Sequence, residues 1–172
     1  MQKEFSYPLT VADLPLSRQH YQMVANADNL KFLTNVLQIP GVKSFVADFY
    51  IKPDHNTTIL TVSGHIKADI VLQSVISLEN FDQVYDFDFE TKFDTKATLQ
   101  EQKEDGDDWD QDTPEIVING KIDLGNIAIE QLALRLDDYP RRHGEIFSFT
   151  PDFDPTERQT NNPFAVLAKL KK

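Results

Sequence analysis

Residues 84–93 read VYDFDFETKF. Tyr85, Phe87, Phe89 and Phe93 fall on one parity, and Asp86, Asp88, Glu90 and Lys92 on the other. Side chains of an extended chain point alternately to opposite faces, so this stretch is a strand with one buried and one wet face. Such alternation belongs to antiparallel sheets, because parallel strands are covered on both faces and read as unbroken apolar runs. The neighbouring segments follow the same rule. Residues 42–52, VKSFVADFYIK, place Phe45, Ala47, Phe49 and Ile51 on one face. Residues 57–79, TTILTVSGHIKADIVLQSVISLE, are long enough for two strands or for one bent at Gly64, with Ile66, Ala68, Ile70 and Leu72 facing one way.

Upstream, FSYPLTVADLPL (5–16) carries Pro8 and Pro15 among β-prone residues, which suits an edge strand. HYQMVAN (20–26) reads as a second short strand. Asn26 is placed to cap a helix bearing Leu30, Leu33, Val36 and Leu37, and IPG (39–41) ends it. Downstream, KIDLGNIAIEQLALRLDDYPRR (121–142) reads as one amphipathic helix with a hard stop at Pro140. Asp123 is its N-cap, and Leu124, Ala128, Leu132 and Leu136 form its apolar stripe, widened by Ile129 and Ala133. Asp137 and Asp138 fall at the negative end of its dipole, which costs about 0.3–1 kcal/mol each unless cations such as Arg141 and Arg142 offset it. The fold class is therefore α+β: a mostly antiparallel sheet, open or closed into a barrel, with about two helices.

At 172 residues the chain fits a single domain, here residues 1–149, followed by an extension over 150–172 that ends in NPFAVLAKLKK. A chain of this length buries roughly 70% of its unfolded surface without staples. Residues 100–115 hold eight acids and one base, so the region from about 94 to 117 reads as a mobile acidic loop. With no cysteine, disulfides, thiolate zinc sites and cysteine nucleophiles are excluded. The opening MQKEFSYPLTVADL has no basic-then-apolar leader pattern, and no run approaches 18 apolar residues, so a cytoplasmic protein without membrane segments is expected. The net charge of −11 repels phosphate on average, which speaks against DNA. It is unevenly spread. Residues 140–172 hold six basic and four acidic residues, +2, against −13 for residues 1–139.

Enzyme motifs fail one by one. His20, His55, His65 and His143 stand too far apart for a local metal pair. Gly120 and Gly125 have the spacing of a phosphate loop, but Asn126 and Ile127 follow where Lys and Ser or Thr are needed. Asp108, Asp110 and Asp112 imitate the start of a calcium loop, with Thr113 in place of the turn glycine and Asn119 in place of the bidentate glutamate. No catalytic residue, metal site or cofactor is expected.

Taken together, the IDL opening with EQLALRLDDYPR, the terminal NPFAVLAKLKK, and the central SGHIKADIVLQSVISLENFDQVYDFDFETKF resemble the YceD-like family, the large ribosomal RNA subunit accumulation proteins, over about residues 42–172. Gly64, Ala68, Leu78 and Glu79 match its central pattern, while Ser74 and Ser77 stand where many members carry CxxC. A hydroxyl is no soft thiolate, so a zinc or redox role there is not expected, and a packed strand is expected instead. The resemblance implies a non-enzymatic factor in synthesis, processing or stability of 23S ribosomal RNA and in large-subunit assembly. Its implied partner is the large-subunit precursor, met as ribosomal RNA, as basic ribosomal proteins, or as both. The basic C-terminal part supplies the candidate contact residues: Arg141, Arg142, Asn162, Pro163, Phe164, Leu167, Lys169, Lys171 and Lys172. A rival reading is a β-barrel carrier whose Phe45, Phe49, Phe87 and Phe89 line a small-molecule cavity.

Overall fold

The computed structural model describes residues 5–54, 56–96 and 113–148. Along the chain come β1 (Pro8–Thr10), β2 (Gln19–Val24), α1 (Ala27–Leu37), β3 (Gly41–Pro53), β4 (Ile59–Gln73), β5 (Asn80–Asp94), β6 (Glu115–Ile116), β7 (Lys121–Asp123) and α2 (Leu124–Ala133). A five-stranded sheet has the order β2-β3-β4-β5-β6, antiparallel except for the parallel β5–β6 pair. The class is α+β, and the sheet is open, not a barrel.

The long strand alternation is realised as expected. Phe45, Ala47, Phe49 and Ile51 of β3 are buried with Leu60, Val62, Ile66, Ala68, Ile70 and Leu72 of β4 and Phe89 and Phe93 of β5. Residues 59–73 form one strand. Gly64 lies between Phe49 of β3 and Phe89 of β5, whose rings meet edge to face at 5.7 Å. A Cβ on Gly64 would run into the Asp48 carbonyl and lie 2.7 Å from the Phe89 ring. The aromatic rings therefore fill the space that a carried ligand would need, which disfavours the carrier reading. A bulge between Val42 and Ser44 turns Lys43 and Ser44 outward together and brings Val42 into the core three residues before Phe45.

Both helices cover the buried face. Asn26 caps α1, its side chain accepting from the Asp28 and Asn29 amides at 3.0 Å. Asn29 returns a bond to the Asn26 amide at 3.1 Å, so the cap is reciprocal. The helix stops where Gln38 turns left-handed (φ 54°). Asp123 caps α2, accepting from the Gly125 and Asn126 amides at 2.8 and 3.2 Å. Leu124, Ala128 and Leu132 are fully buried, and Leu33 of α1 reaches the same core.

Three expectations are corrected. First, α2 is shorter than residues 121–142. Lys121–Asp123 is strand, regular helix ends at Ala133, and a turn carries the chain to Leu136. Asp137 accepts from the Tyr139 amide at 2.9 Å, so this carboxylate starts its own turn beyond the helix and bears less of the expected dipole cost. Second, the N-terminal strand does not edge the main sheet. β1 pairs antiparallel with β7 in a separate two-stranded sheet, Leu9 opposite Ile122. The Tyr7 amide and the Ser6 hydroxyl both donate to the Asp123 carboxylate, and the backbone of Phe5 and Ser6 fills the space beside Gly125. Third, the flanks of the acidic loop are strand, Phe93 and Asp94 pairing with Glu115 and Ile116. Residues 97–112 of that loop, with Asp108, Asp110 and Asp112, lie outside the described residues, as do the extension over 150–172 and His55.

Candidate functional site

The only candidate contact residues within the described chain are Arg141 and Arg142; Asn162, Pro163, Phe164, Leu167, Lys169, Lys171 and Lys172 lie outside it. The two arginines sit in the segment Pro140–Ser148, which is laid against the connection from β4 to β5. That connection explains why. Ser74 follows the last residue of β4 and is fully buried. Its hydroxyl oxygen accepts from the Ile76 and Ser77 amides at 3.1 and 3.3 Å, and Leu78 closes the turn in the left-handed region (φ 59°). Residues 74–77 therefore form a turn, not the packed strand expected from sequence.

The Glu145 carboxylate is gripped by this turn. It accepts from the hydroxyls of Ser74 and, at 2.6 Å, Ser77, and from the Arg142 amide at 3.1 Å. Those donors favour the charged form and hold the carboxyl below its ordinary range, Ser74 contributing most, then Ser77, with Arg142 assisting. The Val75 amide donates to the Pro140 carbonyl at 2.9 Å. Arg142 extends back to Glu79 at 3.0 Å and to the Asn80 carbonyl at 3.3 Å. Hydroxyls three residues apart thus do at positions 74 and 77 what a pair of donors can: clamp a carboxylate 71 residues away in sequence. Arg142 is committed to Glu79 and forms no ion pair with Asp137 or Asp138 among the described residues. Arg141 is exposed and makes no ion pair among the described residues. Ile146 and Phe147 are also exposed along this segment, as is Tyr139 just before it.

The wet face of the sheet carries a second polar group. His65 on β4 lies between Asp88 (2.8 Å) and Asp86 (2.9 Å) of β5, with Lys67 at 3.5 Å from Asp86. The Asp88 hydrogen bond, aided by both carboxylates, raises the His65 pKa against the opposing effect of burial. His20 contacts Asp48 at 3.1 Å and stacks on Tyr50. Among the described residues no group of three or more His, Asp or Glu side chains is arranged to hold a metal ion. No helix of the described chain is long and apolar enough to cross a membrane.

The serine–glutamate clamp was missed by sequence reasoning. Its visible signals are two hydroxyls at i and i+3 just past a strand and one acid, Glu145, within an otherwise basic stretch; nothing local joins them. Comparison with curated proteins and with solved structures finds no match. A family model described as large ribosomal RNA subunit accumulation protein YceD matches residues 62–171, beginning within β4 and taking in the clamp, α2 and the C-terminal segment. It starts later than the resemblance over residues 42–172. By that match, spanning well over half of its length, the chain belongs to the YceD family of large ribosomal RNA subunit accumulation proteins.

Proposed function

We propose that this protein is a non-enzymatic, cytoplasmic factor that sustains accumulation of the large-subunit ribosomal RNA by attending the assembling particle. The observation that carries this reading is the family match over residues 62–171. The division of charge supports a mode of action: −13 over residues 1–139 and +2 over residues 140–172. An acidic body complements the basic extensions of ribosomal proteins, while the C-terminal part is the portion able to approach RNA phosphate. Arg141 is the described residue best placed for such a contact, being exposed and uncommitted among its described neighbours. The clamp on Glu145 holds the backbone on which Arg141 is displayed.

The test is the ratio of 23S to 16S ribosomal RNA in cells depleted of the protein. A selective fall in 23S, restored by re-expression, is the expected result. An unchanged ratio under full depletion would overturn the reading.

A further inference from the structure

Between the helices and the end of β4 lies a groove of about 610 Å³. Its apolar lining includes Val36 and Leu37 from the last turn of α1, Leu72 from β4, and Ile129 and Leu136 from α2 and the turn after it. Asp137 and Asp138 also line it, and among the described residues no lysine, arginine or histidine does. Neither aspartate makes an ion pair among the described residues. The groove takes lining from the C-terminal turn of each helix, Val36 and Leu37 of α1 and Ala133 of α2. The result is an apolar trough bordered by two carboxylates that form no ion pair among the described residues, on a chain of net charge −11.

We propose that this groove receives a lysine- or arginine-bearing amphipathic segment of another protein, its apolar side chains seated on Val36, Ile129 and Leu136 and its cations over Asp137 and Asp138. Charge complementarity fixes the chemistry of the occupant. Phosphate would meet no cation among the groove's described lining residues, and an acidic or purely apolar segment would leave both aspartates unpaired in a partly desolvated interface. Recognition of this kind places an amphipathic helix in a groove through anchors spaced along one helix face. The proposal rests on the assembly reading above, because the extensions of ribosomal proteins supply this chemistry, and it locates that contact on the acidic body.

The experiment titrates the full chain into a fluorescein-labelled peptide of leucine and lysine patterned as an amphipathic helix. A matching leucine–glutamate peptide and an unlabelled peptide of residues 161–172 serve as controls. Binding of the lysine peptide is expected to weaken with salt and to weaken about tenfold in Asp137→Asn/Asp138→Asn, which preserves shape. Leu136→Gln is expected to weaken it as well. The glutamate peptide is expected not to bind. Equal binding to the Asn double variant, or binding of the glutamate peptide, would overturn the proposal. Preference for the 161–172 peptide over the lysine peptide would also overturn it, by making the chain's own segment the occupant. In depleted cells, full restoration of 23S by the Asn double variant would sink the groove proposal and leave the assembly reading standing. No effect of depletion itself would sink the assembly reading alone.

Discussion

The sheet body and the Pro140–Ser148 corner are held by different forces. In the body, Phe45, Phe49, Ile51, Leu60, Ile66 and Ile70 are each 1% exposed or less, and apolar burial does the work. At the corner, one carboxylate collects two hydroxyls and an amide, and one arginine spans to Glu79 and Asn80. Burial is spread over many atoms and indifferent to pH, so it tolerates small changes and fails all at once. The corner depends on single atoms and on a charge, so it can loosen while the body stays intact.

The largest effect is expected in the body. Phe49→Ala leaves a cavity beside Phe89 and should cost about 3–5 kcal/mol in denaturant unfolding. A loss under 1 kcal/mol would show that the core is looser than its packing implies. Gly64→Ala adds one carbon against the Asp48 carbonyl and Phe89 and should cost about 1–3 kcal/mol. Next comes the tie between the two termini of the body. Asp123→Ala removes the α2 cap and the bonds from Ser6 and Tyr7, with an expected loss of about 1–2 kcal/mol.

The corner should behave otherwise. Glu145→Gln leaves the melting transition nearly in place while the Ser77 and Val75 amides exchange about tenfold faster. Equal loss of protection throughout the sheet would erase the distinction between the regions. The pH dependence has a defined sign. The Glu145 carboxyl is held low, so its contribution is present above the ordinary carboxylate value (~4.3) and fades as pH falls through its lower folded value. His65 is shifted upward, so its contribution is present below the ordinary histidine value (~6.5) and fades as pH rises through its higher folded value. Acid should therefore release the corner, and mild alkali should weaken the His65 contacts with Asp86 and Asp88. That last change is the smallest, because these side chains are largely exposed. Histidine and carboxylate NMR titrations would read both.

What was legible in the sequence was local. The β3–β5 alternation and the caps at Asn26 and Asp123 depend on residues within a few positions of each other. The family-linked helix was legible at its start and not at its end, because LRLDDYP continues the apolar spacing although Asp137 engages the Tyr139 amide instead. The pairing of β1 with β7 and the bond from Ser74 to Glu145 each join distant stretches through polar atoms, and no periodicity records such a choice. The bulge at Lys43 escaped for a similar reason, since two successive polar residues in a strand do not say which way the backbone will shift. Of the site, Arg141 and Arg142 were found by composition, but the partner of Arg142 was not, because Glu79 lies across the β4–β5 turn.

The small β1–β7 sheet also sets an order of events in time. Ser6 leaves the peptidyl-transferase centre 117 residues before Asp123. At about 5–20 residues per second, that is a delay on the order of 10 s. Throughout it Phe5, which ends up packed edge to face on Phe45 at 5.3 Å, has no β7 to hold it in place. Residues made early are thus among the last to settle, and the start of α2 is secured only when a later-made strand captures them.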